Sequence, residues 1–129
     1  MKPERPTVLV VDDDIPTLTA LRRLIAAAGF RVRTFSRPND LLSSEIPGGD
    51  VCLVLDVNLP EMNGVRLHQL LSASRRELPA IMITGRNDSQ TQCLLRESRA
   101  VAVLFKPFAA NLLLEALANA LSMQHQRSQ

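Results

Sequence analysis

Short apolar runs punctuate the chain: VLVV at 8–11, VCLVL at 51–55, AIMI at 80–83 and VAVLF at 101–105. None alternates polar with apolar, so none reads as a strand with one wet face. Near-continuous runs of this length predict strands covered on both faces, as in a parallel sheet. RVRTF at 31–35 does alternate, which predicts an edge strand. Between the runs the period changes to that of a helix. Over 15–28, Leu18, Leu21, Ile25 and Ala28 fall on one face, Pro16 suits the first turn and Gly29 follows as a stop signal. A second helix is predicted from Val65 to Ser74 with Leu67, Leu70 and Leu71 inward. The last runs from Ala109 to Met123 with Leu113, Leu114, Leu117 and Leu121 inward. Segments 38–44 and 88–98 carry weaker helical patterns. Strand followed by helix, repeated along the chain, predicts an α/β fold: a doubly wound parallel sheet with right-handed crossovers and helices on both faces.

A length of 129 residues fits one domain with a proper core, expected over 7–121 with flexible ends at 1–6 and 122–129. With 46% apolar residues, 22% charged residues and a net charge of +2, the chain belongs among ordered soluble proteins. The opening MKPERP has no apolar signal region, and no apolar run approaches the roughly 18 residues of a membrane span, so a cytoplasmic protein off the membrane is expected. Cys52 and Cys93 are isolated, without a CxxC, and read as free buried thiols instead of a disulfide or zinc site. The slight basicity is spread over pairs such as Arg22–Arg23 and Arg75–Arg76, and the aromatics are 4 phenylalanines, which argues against nucleic acid as a direct partner.

In open α/β sheets, ligands bind beyond the carboxyl ends of the strands. The residues at those ends are Asp12, Asp13 and Asp14 after the first run, Asp56 and then Asn58 after the second, Thr84 after the third, and Lys106 followed by Pro107 after the fourth. Close carboxylates repel by about 4 kcal/mol per pair at ~4 Å and an effective dielectric of about 20, so a bound cation is expected among them. Oxygen-only donors favour Mg²⁺, which works with one or two carboxylates plus a phosphate. A hydroxyl and an ammonium beside that cation suit the remaining oxygens of a phosphoryl group, and one carboxylate then serves as nucleophile, giving an aspartyl phosphate. Singly, each residue has a plainer explanation. Asp14 reads as the cap of the first helix, Asp56 as a strand-end turn former, Thr84 as a capping hydroxyl and Lys106 as a solvated charge. Their joint placement at matching strand ends favours the chemical reading. His68 and His125 fall on a polar helix face and in a polar tail and are expected in solvent, and Leu112 lies off the inward face of the last helix.

The motifs VVDD (10–13), LVLDVNLPEMNG (53–64), MITG (82–85) and FKPF (105–108) resemble, in order and spacing, those of the receiver domains of bacterial two-component response regulators. The resemblance spans roughly 7–121, and LDVNLPEMNGVRL is most similar to receivers of nitrogen-fixation and LuxR-type regulators. It implies a CheY-like (flavodoxin-like) five-stranded parallel sheet in the order 2-1-3-4-5. It implies Asp56 as phosphoacceptor from a sensor histidine kinase or phosphotransfer protein, and a Mg²⁺ site of Asp12, Asp13, Asp56 and the Asn58 carbonyl. Thr84 and Lys106 would take phosphoryl oxygens, and Pro107 is the position of a cis peptide. The output face would be 88–121, serving a downstream protein, a missing effector domain or a phosphorylation-dependent homodimer. Departures are Val103, where the family usually places an aromatic ring that swings inward, and Arg99, where glycine is frequent. Arg86 and Asn58 stand where side chains screen the phosphoryl group and tune its lifetime.

Two other functions compete. A phosphatase that resembles the haloacid dehalogenases needs an acid two residues after the nucleophile, and Asn58 stands there, so a signalling module is expected and not an enzyme. A receiver-like interaction module that works without phosphate draws its support from Val103, while the acidic pair, Thr84 and Lys106 weigh against it.

Overall fold

A computed structural model describes residues 5–128, with side chains through Met123. The expectations for 1–4, Gln129 and the side chain of His125 lie outside the described residues. The element order is β1 (Thr7–Val11), α1 (Ile15–Ala27), β2 (Arg31–Phe35), α2 (Pro38–Ser43), β3 (Val51–Asp56), α3 (Gly64–Ser74), β4 (Ala80–Thr84), α4 (Ser89–Glu97), β5 (Ala102–Phe105) and α5 (Ala110–Ser128). All neighbouring strands are parallel, in the order β2-β1-β3-β4-β5. This is the doubly wound sheet and strand order that the sequence and its resemblance imply.

Side chains alternate across a strand, so a continuous apolar run feeds two cores at once. Val8, Val10, Cys52, Val54, Ile81 and Ile83 pack with Leu18, Leu21 and Ile25 of α1 and Leu113, Leu117 and Leu121 of α5. The alternate positions Leu9, Val11, Leu53, Leu55 and Met82 pack with Leu41 of α2 and Val65, Leu67 and Leu71 of α3. The helices α1 and α5 therefore cover one face of the sheet, and α2 and α3 cover the other. The alternating segment 31–35 is an edge strand, as its period predicts.

Several expectations change. The run at 101–105 is not buried throughout: β5 pairs only with β4, Ala102 to Leu104 are half-buried and Phe105 is exposed. An edge strand lacks a neighbour on one side, and α4 contributes only the partly buried Leu94 and Leu95 beside it. Ala28 is exposed, because α1 ends before it and the chain turns away at Gly29, whose φ of +100° a side chain would resist. Leu70 and Leu114 are half-buried flank residues. The helix α5 continues past the end of its apolar period, to Ser128.

His68 is not in solvent. It is buried, and its Nε2 donates to the Leu78 carbonyl at 2.8 Å, because the segment returning from α3 to β4 folds over the face that periodicity leaves polar. The Arg75–Arg76 pair stays at the surface but is bonded to the chain. Arg75 donates to the carbonyls of Leu42 and Ser44, and Arg76 to those of Pro47 and Gly49, so the basic pair fastens the loop between α2 and β3.

The two thiols differ. Cys52 is buried in β3 and burial pushes its thiol up to about 12, whereas Cys93 on α4 is exposed, contrary to the expectation of two buried thiols. Ellman's reagent is expected to titrate one thiol in the native protein and two in denaturant. Replacing Cys93 by serine should leave a native protein with no reactive thiol.

Candidate functional site

The carboxyl ends of β1, β3, β4 and β5 meet at the switch point between β1 and β3, and backbone register does the positioning. Asp12 N–H donates to the Phe35 carbonyl at 3.2 Å, Val57 N–H to Ile83 at 2.9 Å and Lys106 N–H to Thr84 at 2.8 Å, so the ladder reaches the functional residues themselves. Asp12, Asp13 and Asp56 each offer an oxygen, all within 4.8 Å of one another. Asp12 and Asp56 are buried and Asp13 is exposed. The resemblance's acidic trio is thus brought together. Asp14 is excluded from it, since its carboxylate caps α1 by accepting from Thr17 N–H at 3.1 Å.

Lys106 joins the two buried carboxylates, its Nζ lying 2.7 Å from Asp12 Oδ2 and 3.3 Å from Asp56 Oδ2. Each carboxylate uses its second oxygen locally: Asp12 Oδ1 accepts from Asp14 N–H and Asp56 Oδ1 from Asn58 N–H, both at 2.9 Å. Burial raises the Asp12 pKa despite the hydrogen bond from Lys106. Burial opposes the charge of Lys106 too, but the hydrogen bond to Asp12 and the charge of Asp56 outweigh it and raise its pKa. Both partners are thus raised: for Asp12 desolvation wins, and for the lysine its two anions win. Three carboxylates against one ammonium leave two negative charges among oxygen donors. That balance fits a hard divalent cation.

Thr84 is fully buried; its hydroxyl donates to Asn58 Oδ1 at 2.6 Å and accepts from Arg86 N–H at 3.0 Å. The Asn58 side chain therefore lies beside the site, and its Nδ2 donates to Thr91 on α4 at 3.1 Å. Thr91, buried on α4, is the site neighbour that sequence reasoning missed. A polar residue in a weak helical pattern gives no signal of burial. The Arg86 guanidinium pairs with Asp88, with Nε at 2.9 Å. The Lys106–Pro107 peptide is cis, as the resemblance implies. Val103 is half-buried against the α3-side core, and Arg99 faces solvent with only a 3.8 Å pair to Glu77, of little energetic weight.

Asp88 caps α4, and hydrogen bonds from the Thr91 hydroxyl and Thr91 N–H, then from Arg86, lower its pKa from 3.8 to about 2. A lowered folded-state pKa means stability that is complete above the unfolded value and is lost as pH falls through the folded one. The cap should hold above about pH 4 and fail toward pH 2. A carboxyl-carbon NMR titration should show the low midpoint, and Asp88→Asn should remove this component of the acid response.

A doubly wound parallel sheet carrying an acidic trio and a lysine at its switch point defines the class of the fold and of its site. The response regulator receiver domain model matches residues 8–118, and the chain belongs to that family. It is 31% identical over 129 residues to response regulator protein TmoT of Ectopseudomonas mendocina, covering 100% of this chain and 59% of the relative. It is 34% identical over 120 residues to nodulation protein W of Bradyrhizobium diazoefficiens, covering 93% and 53%. Among solved structures, the response regulator StyR superposes with a TM-score of 0.85 at 36% identity, covering 98% of this chain and 64% of that one. A BeF₃-activated DrrB receiver domain superposes with a TM-score of 0.80 at 28% identity, covering 92% and 99%. The chain spans about half the length of the curated relatives it matches, between 53% and 59% for these two. Among the described residues, no helix is long and apolar enough to cross a membrane.

Proposed function

We propose that this receiver, with its domain limits at 7–121, accepts a phosphoryl group on Asp56 from a phosphohistidine of a sensor kinase or phosphotransfer protein. The single observation that carries the reading is the convergence of Asp12, Asp13, Asp56 and Lys106 at one strand-end site. An Asp56 oxygen attacks phosphorus, the P–N bond to the donor imidazole breaks, and the imidazole leaves with the electron pair and takes up a proton. Lys106 is held against Asp56 before the reaction and is placed to follow the charge onto a phosphoryl oxygen. The Thr84 hydroxyl gives up Asn58 to donate to another. The residues that would hold Mg²⁺ are Asp12, Asp13, Asp56 and the Asn58 carbonyl, and when bound it offsets the charge of the carboxylates and the phosphoryl oxygens.

The product carries about −1.5 to −2 charges where Asp56 carried one, and that change biases the loop after β4. Output passes through 88–121, where Phe105 and Leu112 stay exposed, to an effector domain, a separate protein or a second copy of the chain. Asn58 spends its amide on Thr84 and Thr91 and has no acid to offer a leaving group, which supports signalling over turnover. The test is intact mass after incubation with acetyl phosphate. One added phosphoryl group with Mg²⁺, and none with chelator, is expected. Absence of the group with Mg²⁺ would leave a phosphate-independent interaction module, and sustained hydrolysis of a phosphomonoester would point to an enzyme.

A further inference from the structure

Thr91 is the one residue that α4 buries fully, and phosphoryl chemistry at Asp56 does not use it. It is 1% exposed, while the apolar Leu94 and Leu95 of the same helix are only partly buried. Its hydroxyl oxygen accepts from Asn58 Nδ2 at 3.1 Å, across 33 residues of chain. The other end of the same carboxamide accepts from Thr84 at 2.6 Å, and the Asn58 backbone N–H is held by Asp56 Oδ1. Beyond Thr91 the line continues, since the Thr91 hydroxyl hydrogen-bonds the Asp88 carboxylate, which also binds the Arg86 side chain. Arg86 closes the circuit by donating its N–H back to Thr84. Donors point one way along Thr84, Asn58, Thr91 and Asp88, the arrangement in which hydrogen bonds reinforce one another.

A hydroxyl has one proton. Asn58 Oδ1 at 2.6 Å is a closer acceptor for it than the Arg86 carbonyl at 3.2 Å, and a proton given to a phosphoryl oxygen is lost to Asn58. We infer that the Asn58 carboxamide is the relay by which this receiver controls α4: phosphorylation takes the Thr84 proton, the carboxamide turns its NH₂ toward the phosphoryl group, and Thr91 loses its donor. The inference rests on Asp56 being the acceptor and names the positioning residue that acts on α4.

Hydrogen exchange of the α4 amides, Ser89–Glu97, reads the relay, with beryllium fluoride and Mg²⁺ as the stable phosphoryl mimic. In wild type the mimic should speed α4 exchange about fivefold, the factor that one net hydrogen bond is worth. Thr91→Val keeps the shape and removes the hydroxyl. It should take a phosphoryl group from acetyl phosphate as wild type does, exchange about fivefold faster in α4 without the mimic, and change less than about twofold with it. Thr91→Ser should restore the wild-type response. Asn58→Leu cuts the same relay from its other end and, read only by α4 exchange without the mimic, should show the same roughly fivefold rise as Thr91→Val, which keeps the test alive if the valine variant does not fold. A Thr91→Val protein with wild-type resting protection and wild-type response overturns the relay, as does loss of response in Thr91→Ser. If wild type takes no phosphoryl group, the acceptor reading fails by mass, while the comparison without mimic still decides whether Asn58 tethers α4.

Discussion

Asp56→Asn is expected to gain no phosphoryl group from acetyl phosphate and Mg²⁺ while the wild type gains one, a complete loss read by intact mass. The substitution keeps size and shape, so Oδ1 continues to accept from Asn58 N–H, now held at 2.9 Å, and the fold should survive. It removes the proposed nucleophile, because a neutral carboxamide, its nitrogen lone pair delocalised into the carbonyl, is far less nucleophilic than a carboxylate. It also removes one of three mutually repelling carboxylates within 4.8 Å of one another. The melting temperature without metal should therefore rise, because relief of repulsion from two neighbouring carboxylates outweighs the loss of one 3.3 Å contact with Lys106. If the trio holds Mg²⁺ as proposed, the ion should raise that temperature less in the variant than in wild type, since one of the three carboxylates is gone. A variant that still gains one phosphoryl group would move the acceptor away from Asp56.

Gly64→Ala is expected to destabilise the domain by about 3 kcal/mol, the upper end for forced overpacking. A Cβ at Gly64 would lie 2.4 Å from the Asp56 carbonyl oxygen, 3.0 Å from its carbon and 3.3 Å from Val57 Cα. These are backbone atoms at the end of a central strand and have no rotamer through which to retreat. Gly64 is also the first residue of α3, and its N–H donates to the Val57 carbonyl at 3.0 Å, so the helix is seated directly on the strand end that carries Asp56. Moving α3 away would disturb the core at Val65 and Leu67; moving Asp56 would disturb its alignment with Lys106. Thermal melts should show a fall of roughly 10 °C, and phosphorylation of the folded fraction should be slower than in wild type. Gly48→Ala is the control: nothing lies within 4 Å of its Cβ, and the change should stay within about 0.5 kcal/mol.

These two residues show how unevenly the site is written in the chain. Asp56 is visible as a carboxylate at the end of an apolar run. Gly64 belongs to the motif by which the resemblance is drawn, but the reason only glycine fits is a distance between backbone atoms of different elements. Asp12, Asp13, Thr84 and Lys106 are legible for the same reason as Asp56. A parallel sheet puts all its carboxyl ends at one edge, so reading one residue past each run is enough to collect them. Asp14 is legible too, as a cap, because capping is decided within one turn of helix.

Burial that depends on a distant segment is not legible. His68 looks solvent-facing by helical period, yet the chain around Leu78 closes over it. Long-range pairing is equally hidden: Arg75 and Arg76 stay exposed, yet they hold the carbonyls of a loop about thirty residues earlier in the chain. The run at 101–105 has the composition of a central strand but takes the edge, since strand order and not strand composition decides which run lacks a neighbour. Cys93 is a small apolar residue left on the outer side of α4.

The sequence by itself determined the element order, the two-sided apolar runs and the chemical types gathered at the strand ends, because period and capping act over a few residues. Only the tertiary structure decided that Lys106 faces both Asp12 and Asp56, that Gly64 has no room for a Cβ, and that Asn58 joins Thr84 to Thr91. Those relations lie between elements 8 to 94 residues apart in the chain, where hydrogen-bond partners and free volume are set by packing and not by local pattern.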